Sequence, residues 1–130
     1  KLKSIGAIDL DRSVFNNIEL LLFNAEILIT DYSSCHFDFL ALHKPTVSFG
    51  YDYEYYKSIE RGFLYPMSDV FPNPICSTFT DVITQLSIIL QNSSSNKDHH
   101  TLHNRFYKYD DNKNTSRVVE LALSLVNNTK

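Results

Sequence analysis

Apolar and polar positions change period several times along the chain. Ile5 to Ile8 forms a short strand-like run. Behind Ser13, a residue suited to cap a helix, Val14, Ile18, Leu21 and Leu22 recur at helical spacing. Ile27 to Ile29 gives a second strand and Ser33 to Leu42 a second helix. Pro45 then leads into a third strand at Thr46-Val47-Ser48-Phe49. The order β-α-β-α-β predicts an α/β domain, its parallel strands joined by right-handed crossovers with flanking helices.

Beyond this the pattern changes. Gly50 to Pro74 is aromatic and turn-rich, with Tyr51, Tyr53, Tyr55, Tyr56, Phe63, Tyr65 and Phe71 ahead of Pro72-Asn73-Pro74. Ordered loops and short helical turns are expected there, and irregular segments of this length are often functional. Thr78-Phe79-Thr80-Asp81 has the layout of a capping box with Asp in place of Glu. Phe79, Val82, Ile83, Leu86, Ile89 and Leu90 follow on one helical face. Gln91 to Lys97 reads as a polar loop, His99 to Lys108 as a short helix and Asp110 to Asn114 as a turn. Ser116 to Val126 is a last helix, with Val118, Val119, Ala122, Leu125 and Val126 expected inward.

Composition narrows the class. With 130 residues and no internal repeat, residues 1–130 make one compact domain. A hydrophobic share of 43% with 21% charged residues is that of a soluble globular chain. The net charge of −3 carries no basic signature, so nucleic acid is not an expected partner. No apolar run approaches the roughly 20 residues that span a bilayer. Cys35 and Cys76 form no CxxC pair and fit reduced cytosolic thiols. The chain starts at Lys1 with no signal-peptide pattern and enters directly into strand-like sequence. It therefore reads as a piece of a longer protein, in which a catalytic group upstream would be invisible here.

Candidate chemistry concentrates at one turn. The apolar run through Ile29 ends in Thr30-Asp31, turns at Tyr32 and restarts as a helix headed by Ser33 and Ser34. A first helical turn offers unpaired N–H groups and partial positive charge, and hydroxyls there add donors. This predicts a phosphate or nucleotide-diphosphate site, at the carboxyl end of a strand where open parallel sheets bind ligands. Ser33 and Ser34 are its candidate ligands, although serine also caps helices with no ligand at all. Thr30 fits either role. Asp31 would repel a phosphate and instead fits an Asx-turn that shapes the loop.

Two arginines are candidate phosphate partners. Arg61 precedes Gly62; its alternatives are a solvated loop charge or a pair with Glu60 or Asp69. Arg117 opens the last helix, where a cation opposes the dipole unless an anion compensates. Its alternative is a salt bridge with Asp110 or Asp111. The tyrosines from Tyr51 to Tyr56 could stack on a base, but such clusters more often pack a loop onto its domain. His36 could donate near the serines or sit partly buried in its helix. Cys35 reads as a small core residue. His99 and His103 share a helical face, yet nothing adjacent in sequence supplies a third ligand, so no metal site is expected and the helix reads as solvated. The glycosylation-like triplets at Asn92 and Asn114 read as chance.

Thr30-Asp31-Tyr32-Ser33-Ser34, Phe37-Asp38-Phe39, Lys44-Pro45, Tyr51-Asp52, Arg61-Gly62-Phe63, Pro72-x-Pro74 and Asp110 to Arg117 occur in order. Together they resemble the C-terminal part of the CDP-glycerol glycerophosphotransferases, the bacterial teichoic-acid primases and polymerases and related capsule polymerases. The resemblance runs from about Ile5 to Val126. It implies a GT-B architecture of two Rossmann-like halves, of which this one holds the CDP-glycerol donor. It also implies transfer of glycerol phosphate to a membrane-anchored polyol or glycan acceptor, release of CMP, no dedicated metal site, and work as a peripheral protein at the cytoplasmic membrane face. The family's proposed catalytic histidine lies upstream of the matched part, in the N-terminal half, so no catalytic base is assigned here.

Three departures stand out. Pro-Gly-Pro becomes Pro72-Asn73-Pro74, which asks Asn73 for a conformation easy for glycine. The turn Asp110 to Asn114 lacks glycine, and Gly-Phe-Tyr reads Gly62-Phe63-Leu64. Another CDP-polyol donor fits equally well. A GT-B glycosyltransferase using a different nucleotide sugar is the alternative enzyme. A receiver-like signalling domain fits poorly, because one helix separates Asp11 from Asp31 and no acylphosphate-site lysine is evident. A serine hydrolase would need a Gly-x-Ser-x-Gly elbow that the chain lacks.

Overall fold

The computed structural model describes residues 2–10, 15–91 and 97–127. Its centre is one βαβ unit. Strand β1 (Leu28–Thr30) pairs in parallel with β2 (Thr46–Ser48), in the register Leu28 to Thr46, Ile29 to Val47 and Thr30 to Ser48. Helix α2 (Cys35–Leu40) connects them. Cys76 extends the pairing on the other edge of β2: its N–H donates to the Ser48 carbonyl at 2.8 Å and its carbonyl accepts from the Gly50 N–H at 2.9 Å.

The predicted first strand is not formed. Leu2–Ile5 is a turn of 3-10 helix, Gly6 follows at φ +75°, and Ile5 and Ile8 are each 78% exposed. A strand is held by its ladder, and the left-handed glycine breaks the run before one can start. Ser13 and Val14, the predicted start of the next helix, lie outside the described residues. Helix α1 (Ile18–Asn24) is capped by Asn17, whose side chain accepts from the Leu20 N–H at 2.8 Å. Its other end is closed by Lys44, which donates to the Phe23 and Ala25 carbonyls at 2.6 and 2.8 Å.

The aromatic segment is ordered, as expected. Helix α3 (Tyr53–Tyr55) runs into a π-helical turn over Tyr56–Glu60, and a 3-10 turn covers Met67–Asp69. Met67, Val70 and Phe71 are buried with Tyr32, Phe37, Phe63 and Phe106 around them. Asn73 does not adopt positive φ; its side-chain amide donates to the Thr46 carbonyl at 3.3 Å. The position thus supplies a hydrogen bond across to β2 rather than glycine-like backbone freedom.

Helix α4 (Phe79–Gln91) begins with the expected capping box. The Thr78 N–H donates to Asp81 Oδ2 at 2.9 Å, and the Asp81 N–H donates to Thr78 Oγ1 at 3.2 Å. Its buried face is narrower than the sequence pattern. Val82, Leu86 and Ile89 pack with Val47 and Cys76, while Phe79 and Leu90 are each 71% exposed. Helix α5 (Lys97–Phe106) buries His99, Leu102 and His103, which corrects the solvated reading of its histidines. These positions are spaced i, i+3 and i+4, one face of a helix, and that face packs on α2. Helix α6 (Asn114–Asn127) is exposed throughout: Val118, Val119, Leu125 and Val126, expected inward, range from 50% to 68% exposed. Its stripe at helical spacing lies uncovered rather than against the core.

The capping box gives a direct test. Thr78→Ala is expected to lower stability by about 1 kcal/mol in urea unfolding, whereas Thr78→Ser should retain most of it.

Candidate functional site

The turn after β1 is built by its own side chains. Asp31 Oδ1 accepts from the Ser33 N–H at 3.0 Å, the Asx-turn expected of it. Ser33 Oγ accepts from the Cys35 N–H at 3.4 Å, and the His36 and Phe37 N–H groups bond to the Ser33 and Ser34 carbonyls at 3.2 and 2.9 Å. The first turn of α2 therefore satisfies most of its own N–H groups. What it presents outward is two exposed hydroxyls: Ser33, whose O–H remains a donor, and Ser34, which makes no side-chain capping bond. Thr30 is half-buried and shares a 3.6 Å hydrogen bond with the Cys35 thiol. It faces the turn's interior rather than its surface.

Beside the serines lies a cleft of about 200 Å³, walled by Tyr32, Phe37, Tyr56, Phe63, Met67 and Phe71. The rings interlock: Tyr32 lies 4.5 Å from Tyr56 and 5.1 Å from Phe63, and Tyr53 stacks on Phe63 at 5.4 Å, centroid to centroid. Tyr32 is anchored by its hydroxyl, which donates to Asp52 Oδ1 at 3.0 Å. Burial, then that hydrogen bond and the nearby carboxylate charge, push its phenol far above the ordinary range. The ring passes so close to Gly50 that a β-carbon there would stand 2.6 Å from the Tyr32 hydroxyl. Gly62, at φ +64°, turns the far wall.

His36 lies directly beneath, 1% exposed, with its ring 4.2 Å from Phe71. Its Nε2 is 2.8 Å from the Val70 carbonyl, an obligate acceptor, so the proton sits on Nε2. Nδ1 is buried without a partner. Burial lowers the His36 pKa below its ordinary value, the Val70 carbonyl opposing this in part. The residue is a structural strut, and it does not reach the exposed serines.

The two arginines part company. Arg61 is exposed next to Gly62 at the cleft wall and makes no ion pair among the described residues. Asp69, one of its alternative partners, pairs with Arg105 at 3.2 Å. Arg117 is engaged at the α6 start: it forks onto both Asp111 oxygens, donates to Asn114 Oδ1 at 2.7 Å and lies 3.8 Å over the Tyr109 ring. Asp111, held below the usual carboxylate range first by that hydrogen bond, is the anion that offsets the misplaced cation. The structure thus brings Ser33 and Ser34 to the cleft, whose lining includes Gly62 but neither Arg61 nor Arg117. Sequence reasoning missed Tyr32 and Gly50 as the cleft's foundation; the available signal was a glycine directly after a strand, facing an aromatic-rich loop.

The profile of the CDP-Glycerol:Poly(glycerophosphate) glycerophosphotransferase family matches residues 7–124. The chain belongs to this family. Among relatives of known name, the chain is 34% identical over 110 residues to the teichoic acid poly(ribitol-phosphate) polymerase of Bacillus spizizenii, covering 85% of this chain and 17% of that protein. It is 41% identical over 73 residues to the teichoic acid poly(glycerol phosphate) polymerase of the same organism, 56% of this chain and 18% of that one. The solved wall teichoic acid polymerase TagF superposes with a TM-score of 0.70 at 25% identity, covering 99% of this chain and 32% of that chain. A variant of TagF soaked with CDPG superposes at 0.63. The chain therefore spans less than a third of the length of these teichoic acid polymerases, and its α/β unit matches a corresponding part of the TagF fold.

The buried imidazole under the site sets a pH dependence. With its folded pKa lowered, His36 binds a proton less readily than it does in the unfolded chain, so its contribution is full above about pH 6.5 and is lost as pH falls through the folded value. Stability measured by denaturant is expected to fall on acidification below that point, at no more than about 1.4 kcal/mol per pH unit from this residue. The slope should be shallower in His36→Gln, which keeps a donor for Val70.

Proposed function

We propose that this chain is the donor-binding, C-terminal half of a GT-B glycerophosphotransferase that takes CDP-glycerol or a close CDP-polyol and releases CMP. The observation that carries this reading is the aromatic cleft opening beside two exposed, adjacent serine hydroxyls. An apolar cleft walled by aromatic rings suits a nucleobase, and hydroxyl donors at its edge suit the phosphates that follow it. The family membership and the likeness to a polymerase soaked with CDPG support the same donor.

Each candidate residue then has a role. Ser33 and Ser34 donate to non-bridging diphosphate oxygens, and Arg61, exposed beside the cleft-lining Gly62 and in no ion pair among the described residues, turns in to neutralise the phosphate. Asp31 holds the turn and, with its oxygen spent on the Ser33 N–H, is kept off the phosphate. Thr30 supports the turn from inside. Arg117 reaches a donor only by exchanging Asp111 for phosphate, so its contribution is the weakest of the set. As the phosphoryl bond breaks, negative charge grows on the CMP leaving group, and donors already aimed there stabilise it more than the ground state. The nucleophile is a hydroxyl of a membrane-anchored polyol or glycan, and its base comes from the N-terminal half. Action at the inner membrane face as a peripheral protein fits that acceptor; no helix among the described residues is long and apolar enough to cross a membrane.

Calorimetric titration of the complete gene product with CDP-glycerol, against CMP and UDP-glucose, tests the proposal. Saturable CDP-glycerol binding is expected. Arg61→Ala should weaken it about 10-fold or more, the worth of a charge-assisted hydrogen bond. Ser33→Asp/Ser34→Asp should abolish it by like-charge repulsion. Preference for UDP-glucose would replace the reading with a nucleotide-sugar glycosyltransferase. Binding untouched by all three substitutions would place the donor elsewhere.

A further inference from the structure

A second cluster lies at the other end of α2 from the serines. His43 follows α2 at φ 55°, in the loop leading to β2. His103 comes from α5, and Asp110 from the loop before α6. The three are separated by 59 and 6 intervening residues of sequence, as the numbering shows. Their ring nitrogens and carboxylate oxygen nevertheless lie within 4.8 Å of one another. His43 Nε2 is 3.7 Å from Asp110 Oδ2, and the His43 and His103 ring centroids are 4.0 Å apart.

Burial makes this more than a chance surface cluster. His103 is 3% exposed, yet neither of its ring nitrogens has a hydrogen-bond partner. Buried polar atoms are nearly always paired, and an orphaned one costs about 1–3 kcal/mol. A cation shared with His43 and Asp110, whose ligand atoms lie within 4.8 Å of His103's, would satisfy one of these two nitrogens. Ring stacking of Tyr107 on His103 at 5.0 Å, with the Tyr107 hydroxyl donating to the Phe37 carbonyl at 2.7 Å, fixes the buried ligand against α2.

We propose that His43, His103 and Asp110 form a binding site for a borderline divalent transition metal, Zn²⁺ above all. Two imidazoles with one carboxylate are a nitrogen-and-oxygen set that suits zinc and not magnesium or calcium, which take oxygen ligands almost exclusively. Tetrahedral coordination at about 2.0–2.1 Å sets ligand atoms about 3.3 Å apart. The His43 to Asp110 separation is already close to this, and both residues sit at the surface, with side chains 46% and 75% exposed, free to close the remainder by rotation. The solvent side leaves a fourth position for water. The metal ties the loop after α2, the last turn of α5 and the α6 entry loop into one cross-link, at the end of α2 opposite Ser33 and Ser34.

The test uses the complete gene product without a polyhistidine tag, stripped by chelator and titrated with Zn²⁺ against a chromophoric competitor. Co²⁺ substitution is followed in the visible spectrum. One saturable equivalent is expected, with the intense cobalt band of four-coordinate geometry and a thermal midpoint that rises with Zn²⁺. His43→Asn and Asp110→Asn, both at exposed positions that leave the buried His103 in place, should each weaken binding at least about 10-fold, a loss already typical of disturbing a ligand's support. His100→Asn, on the same helix but outside the cluster, should leave affinity unchanged. Absence of saturable binding by the folded protein, a six-coordinate cobalt spectrum, or affinity that survives both His43→Asn and Asp110→Asn would overturn the proposal.

Discussion

Burial of β2 on both faces is the constraint on which the rest depends. Thr46, Val47 and Ser48 are 0–1% exposed, and β1, α2 and α4 all pack against this one three-residue strand. A strand covered on both sides reads as buried whatever the polarity of its residues, and here two of the three carry hydroxyls without partners. Both of its edges are engaged: β1 pairs along one, and on the other Cys76 bonds the Ser48 carbonyl and Asn73 the Thr46 carbonyl. The carboxyl ends of both strands are thereby fixed side by side, and both site-forming loops leave from there. One is the serine turn after Thr30; the other begins at Gly50.

The contact between Tyr32 and Gly50 links those two loops. With a side chain at position 50, the tyrosine ring would have to leave, and with it the hydrogen bond to Asp52 and the floor of the cleft. The site is thus made of one rigid turn, closed by Asp31 and Ser33, and one aromatic loop folded against it. This division fits phosphate on the turn and an aromatic base on the loop. It also explains why an isolated helix-dipole argument is insufficient here: α2 has six residues, and its first N–H groups are used within the turn. What the turn presents outward is the two exposed side-chain hydroxyls of Ser33 and Ser34 rather than a free helix end.

Local chemistry was legible in the sequence wherever neighbours in the chain are neighbours in space. The Asx-turn at Asp31, the capping box at Thr78, the βαβ order through Ser48 and the Arg117 pairing with Asp111 all involve partners within a few residues or one crossover. The failures share the opposite property. Ile5 to Ile8 has strand composition, but forming a strand needs a partner that sequence periodicity does not supply. The apolar stripe of α6 has the right spacing for burial, and spacing alone does not provide a surface to bury against. His99 and His103 look solvated in a segment of low hydrophobicity, because the residues that enclose them come from α2 and its following loop.

That last case shows how a polar helix comes to be packed inward. α5 has only Leu102 and Phe106 as strongly apolar residues on its inner face. An imidazole is the remaining side chain that can be buried flat against other rings at modest cost while neutral, and the helix supplies two of them a turn apart. Burial lowers the His99 pKa, with the neighbouring His43 and His103 adding to that effect, so the packing favours an uncharged ring at His99. Neutral imidazoles are also the form that binds a metal. The same packing solution that lets a polar helix dock on α2 therefore brings His103 within 4.8 Å of the ligand atoms of His43 and Asp110, joining three separate segments of the chain at one place.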